Sequence, residues 1–113
     1  MSKSLNFNTV KKHYLTITLA DENKTTLMIC TPTKALMNTI ITLQESITAV
    51  DTSTADMNTL NEMYKACALL MSRNKGGIKI TKEQLEEIFD YEDISLFFNT
   101  YVDFITEIAN SKN

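Results

Sequence analysis

The stretch HYLTITLADENKTTLMICTPTKALMNTIITL, residues 13–43, changes its hydrophobic period once, and that change decides the fold. From His13 to Leu19 apolar and polar residues alternate, with Leu15, Ile17 and Leu19 on one side and Tyr14, Thr16 and Thr18 on the other. A period of two carried by β-branched residues describes a half-buried strand. Ala20 to Lys24 is polar and turn-like, and Thr25 to Cys30 alternates again, with Leu27 and Ile29 opposite Thr26, Met28 and Cys30. Two such runs with a short polar connection make an antiparallel β-hairpin over residues 13–30.

Pro32 ends the second strand, with Thr31 read as the N-cap and Pro32 as the first helical residue, where a missing N–H had no partner to lose. Beyond it Leu36, Met37, Ile40, Ile41, Leu43, Ile47 and Val50 recur at three- and four-residue spacing, an amphipathic helix over about 32–50. Asp51 to Thr54 is a polar break, and Ser53 with Asp56 reads as a capping pair for a second helix. That helix carries Met57, Leu60, Met63, Tyr64, Cys67, Leu70 and Met71 on one side. Its end is read from Arg73 and Lys75, and from Gly76-Gly77 as the left-handed C-cap.

Ile78 to Ile80 is an extended link. Thr81 and Gln84 have the spacing and residue types of a capping box, opening a short helix with Leu85, Ile88 and Phe89 inward. Asp90 caps the last helix, whose acidic first turn suits the helix dipole and whose Phe97, Phe98, Tyr101 and Phe104 mark it as the central packing element. The expected fold is α+β and mainly helical, an N-terminal hairpin packed on about four helices. At 113 residues the chain reads as a single domain, 1–113, with an arm at 1–11, the hairpin at 13–30 and a helical part at 32–110.

Hydrophobic residues make up 43% and charged residues 22%, a balance that folds. The net charge of −3, with Arg73 the one arginine among eleven basic residues, speaks against nucleic acid as a partner. Charge is uneven: residues 1–80 hold nine basic against six acidic side chains, residues 81–113 two against eight. The acidic third reads first as a solvated helical face and second as a docking surface for a basic partner. No apolar run approaches a membrane span and Met1 to Asn6 has no signal-peptide character, so a cytoplasmic chain is expected.

Chemistry is sparse. His13 is the one histidine and has no nucleophile at motif spacing. Cys30 and Cys67 sit among apolar neighbours and read as core thiols, with their pairing left open. Walker, dinucleotide-binding, zinc-protease and EF-hand spacings are all absent from the sequence. No catalytic, cofactor-binding or metal-ligating residue is assigned, no cofactor is expected, and an enzyme is not. Methionine is the remaining bias. Met37, Ile41, Met57, Met63 and Met71 are the candidate partner-binding residues, since exposed Met forms the adaptable apolar patches used to hold other chains.

The order of elements resembles the tail assembly chaperones of long-tailed (siphovirus-like) bacteriophages and prophages, in the small family from Gram-positive hosts. The residues that carry the resemblance are the Tyr14–Cys30 hairpin, Thr31-Pro32-Thr33-Lys34, the run Leu70 to Gly77, Ile80 to Leu85, and Tyr101 to Ile105. The hairpin connection departs from the family in having no Asp-Gly. The resemblance implies a non-catalytic assembly factor of the host cytoplasm, absent from the mature virion. It would bind the tape-measure protein, keep it soluble and help the tail tube polymerise around it, with the tail-tube protein and self-association as further contacts. Family genes commonly yield a longer product by ribosomal frameshifting, and Lys112-Asn113 is compatible with an A-rich slippery site. Two other readings stand beside it: a small phage-encoded regulator or inhibitor that binds a host protein through the acidic C-terminal third, and a weak nucleic-acid-binding module using Arg73, Lys75 and Lys79.

Overall fold

The computed structural model describes residues 3–7, 12–49 and 57–110, with 46–49 in backbone only. Its elements are β1 (Leu15–Thr18), β2 (Thr26–Ile29), α1 (Lys34–Ala49), α2 (Met57–Ser72), α3 (Lys82–Ile88) and α4 (Tyr91–Asn110). The fold is therefore mainly helical α+β with an N-terminal hairpin. The side chain of Ile47, Val50, residues 1–2 and 8–11 of the expected arm, the polar break at 51–54, the Ser53–Asp56 pair and Lys112-Asn113 lie outside the described residues.

β1 and β2 pair antiparallel, Leu15 opposite Ile29 and Ile17 opposite Leu27, so one face of the hairpin is aliphatic. Thr16 opposite Met28 and Thr18 opposite Thr26 form the solvent face. The connection is closed by Asp21, whose carboxylate accepts the Thr25 N–H at 2.8 Å and the Thr25 hydroxyl at 2.6 Å. Those two bonds hold the Asp21 carboxyl below its ordinary value. Lys24 adopts a φ of +50°, a left-handed conformation that costs an L-residue about 1–2 kcal/mol. Lys24→Gly is expected to raise stability by about 0.5–1 kcal/mol, the strain relieved less the extra chain entropy, as read in a thermal melt.

α1 starts two residues later than expected. Thr33 is the N-cap: its hydroxyl accepts the Leu36 N–H at 3.3 Å and its carbonyl the Met37 N–H at 2.9 Å. Thr31 lies outside the helix, and its carbonyl accepts Arg73 Nε at 2.7 Å, which holds the Thr31-Pro32 segment against the turn after α2.

That turn is a second correction. Gly76 and Gly77 do not cap α2, which ends at Ser72. Instead Arg73 to Lys75 runs antiparallel to β2, with Cys30 N–H donating to Arg73 O at 2.8 Å and Lys75 N–H to Met28 O at 2.9 Å. Asn74 performs the capping: its amide donates to Met71 O at 2.8 Å and to Ile78 O at 2.6 Å, while its oxygen accepts the Ile78 N–H at 2.9 Å. Gly77, at φ +70°, closes the turn in a conformation that favours glycine. Ser72 then grips Ile80 through both of that residue's backbone groups, at 2.8 and 2.9 Å.

The two later helix starts follow the sequence. Thr81 and Gln84 form the reciprocal capping box of α3. Asp90 accepts the Asp93 N–H at 2.9 Å and Asp93 accepts the Asp90 N–H at 3.0 Å at the head of α4. The centre of the molecule is α2 and not the aromatic α4. α2 packs against α1, α3, α4 and β2, and Met63, Tyr64, Ala66, Cys67, Ala68, Leu70 and Met71 are all buried. An element surrounded by neighbours needs small residues on several faces so that they can approach, and Ala66, Cys67 and Ala68 supply them. The bulky rings of α4 fill one side of the resulting core.

Candidate partner-binding surface

α1 and α4 both rest on α2, and a groove of about 430 Å³ opens between them. α1 contributes Met37, Ile40, Ile41 and Gln44, and α4 contributes Val102, Ile105, Thr106, Ile108 and Ala109, with Thr31 and Pro32 at one end. The spacing is helical on both walls, so each presents an apolar ridge one to two turns long. No lining residue is charged. Ile40 is buried at the floor, while Ile41 remains 46% exposed on the rim. A single further helix with anchors at three- and four-residue spacing has the shape to fill such a groove.

The five residues singled out from the sequence divide three ways. Met37 and Ile41 meet in the groove. Met57, 67% exposed at the head of α2, lies outside it. Met63 and Met71 are core residues, 4% and 0% exposed, and the expectation that they contact a partner is corrected. Helical spacing cannot tell an inward from an outward Met on a helix that is packed on several sides. Val102, Ile105 and Ala109 were missed as lining residues; Ile105 and Ala109 continue the i, i+4 ridge of Phe97 and Tyr101, which turns gradually from the core towards the groove. An apolar arc wider than one neighbour needs was the available signal.

Charge separates from this groove. The exposed acidic residues Glu83, Glu86, Glu87, Asp90 and Glu92 crowd α3 and the start of α4, with the Lys82–Glu86 pair at 2.9 Å the one ion pair among the described residues. The basic loop is dispersed: Arg73 is spent on Thr31, Lys75 stands 5.6 Å from the centre of the Tyr14 ring, and Lys79 lines a separate hollow with Leu69 and Lys65.

His13 is exposed on the approach to β1. Cys30 and Cys67 are both free thiols, and no group of three or more potential metal ligands occurs among the described residues. Burial pushes the Cys67 thiol up to about 12. Burial likewise raises Tyr101, opposed by Arg73, and raises Tyr64, reinforced by Asp90 and Glu86. A folded state that holds these protons more tightly than the unfolded chain keeps its full stability below about pH 9 and loses it as pH rises. For Cys67 the loss is about 1.4 kcal/mol per pH unit up to its folded value, so the urea midpoint is expected to fall steeply between about pH 9 and 11. Cys67→Ala should flatten that slope.

Among the described residues no helix is long and apolar enough to cross a membrane. No protein-family model, curated protein or solved structure matches the chain.

Proposed function

We propose that this protein is a phage tail assembly chaperone that holds the tape-measure protein in soluble form until tail-tube subunits replace it. The observation that carries the reading is the uncharged groove between α1 and α4. A tape-measure protein is a long helical chain with apolar faces, and an amphipathic helix docks into such a groove by its i, i+3, i+4 anchors. Each groove is short, so each copy grips weakly. Weak contacts repeated along a long partner give a coat that the tube protein can strip. On this reading the protein acts in the host cytoplasm, is absent from the finished virion and needs no cofactor.

The test is co-expression with the tape-measure protein of the same gene cluster. The tape measure is expected to become soluble and to co-purify; an insoluble, unbound tape measure overturns the proposal. A second reading has an observation of its own, the acidic face of α3 and α4, which would suit a basic host protein. Binding to a host protein that is indifferent to the groove and lost at high salt would favour it.

A further inference from the structure

The hairpin has two edges, and the molecule treats them differently. The outer edge of β2 is covered: Cys30 N–H and Met28 O, both on that side, are bonded to Arg73 and Lys75. Antiparallel pairing then turns the backbone groups of Leu27 and Ile29 towards β1, and those of Tyr14, Thr16 and Thr18 away from it. Among the described residues nothing pairs with that second edge, since β1 has β2 as its one neighbour and no other backbone bond reaches Thr16 or Thr18. Leu15–Thr18 is short, but the other devices that usually blunt an open edge are missing from it: no proline, no charge and no bulge. A cleft of about 250 Å³ opens beside it, lined by Ile17 and Thr18 from opposite faces of β1 and by Leu96 and Phe97 of α4. Leu96 is 68% exposed there.

The charges that flank β1 say what fits. Lys12 and His13 precede the strand and Asp21 and Glu22 follow it. A strand with a basic start and an acidic end is complementary to itself when run antiparallel. We infer that a second copy of this chain pairs with this edge, β1 against β1 about a two-fold axis, joining two hairpins into one four-stranded sheet. Only residues with outward backbone groups can exchange hydrogen bonds, which restricts the register. Placing Thr16 opposite Thr18 of the second copy uses them. It sets Ile17 opposite its own counterpart on the axis and Leu15 opposite Leu19, and it brings the Lys12 end of each strand towards the turn that carries Glu22 in the other copy. Lys12 and Glu22 are exposed and have no ion-pair partner among the described residues. The shorter alternative, Thr16 opposite Thr16, sets Lys12 against Ala20 and wastes the charges. The interface is isologous, as a closed dimer requires, and stands apart from the α1–α4 groove. It does not depend on what that groove binds.

Sedimentation of the full chain over a range of concentrations tests the inference. A reversible monomer–dimer equilibrium is expected, and a chain that stays monomeric throughout overturns it. Thr16→Pro removes an outward N–H without touching the β1–β2 ladder, and is expected to abolish the dimer with an unchanged far-ultraviolet dichroism spectrum. Lys12→Glu, at an exposed position, should weaken association about tenfold, and adding Glu22→Lys should restore it. Ile17→Cys should oxidise to a covalent dimer that the wild type does not form, because paired residues on the axis lie within disulfide range. A dimer indifferent to Thr16→Pro and Lys12→Glu uses another surface and overturns the inference.

Discussion

Tyr101→Ala is expected to cost about 3–5 kcal/mol, a large part of the roughly 5–15 kcal/mol that holds a domain of this size folded. Tyr101 has no exposed surface. Its ring lies between Phe97 and Phe104, with centroids 6.0 and 5.8 Å away in tilted contact, so truncation opens a cavity lined by rings that cannot collapse into it. The hydroxyl adds a separate contribution. It donates to Cys30 O at 2.9 Å across 71 residues of sequence and so fastens α4 to the segment leaving β2. Tyr101→Phe keeps the ring and leaves that carbonyl without its donor, at a cost of about 1–2 kcal/mol. Urea titrations of the two variants separate packing from hydrogen bonding. A loss below about 1 kcal/mol for the alanine variant would show that α4 is not what secures the hairpin.

The Cys30–Thr31 segment explains which parts of the fold were legible in the sequence. Features set by neighbours three or four residues apart could be read directly. The alternation of β1 and β2, the Thr81–Gln84 box and the Asp90 cap are of this kind, and each has the expected partners. Features set across the chain could not. Thr33 caps α1 while Thr31 stands before it, its carbonyl bonded to Arg73, 42 residues away. The turn after α2 looked like a glycine cap because glycine is the commonest signal there, yet the carbonyl acceptor of Met71 is met by Asn74. Pairing of Arg73–Lys75 with β2 left no trace in a segment too short to show alternation. The same limit governs the surface. Spacing placed Met37, Ile41, Met63 and Met71 on apolar sides of their helices, but only the arrangement of helices around α2 decides which side faces a neighbour and which faces the groove.

That division yields the most decisive test of the proposed function, because residues chosen together from the sequence should now behave oppositely. Ile41→Glu changes a rim side chain that is already 46% exposed, and its effect on stability is expected to stay within about 0.5 kcal/mol. With an apolar helix in the groove, however, the new carboxylate would be buried against Val102 and Ile105 without a partner, a penalty of several kcal/mol. Binding should therefore fall by far more than tenfold, and the tape-measure protein should return to the insoluble fraction. Met71→Ala should do the reverse. It leaves a cavity in the core and costs about 2–5 kcal/mol, yet each molecule that remains folded keeps an intact groove and should bind as before. Met57→Glu separates the groove from general methionine stickiness, since Met57 is more exposed than Ile41 but lies outside the lining, and binding should be unaffected. Thermal melts and the ratio of co-purified proteins read all three variants. If Ile41→Glu retains the tape-measure protein while Met57→Glu loses it, the contact lies at the head of α2, and the groove between α1 and α4 is not the binding site.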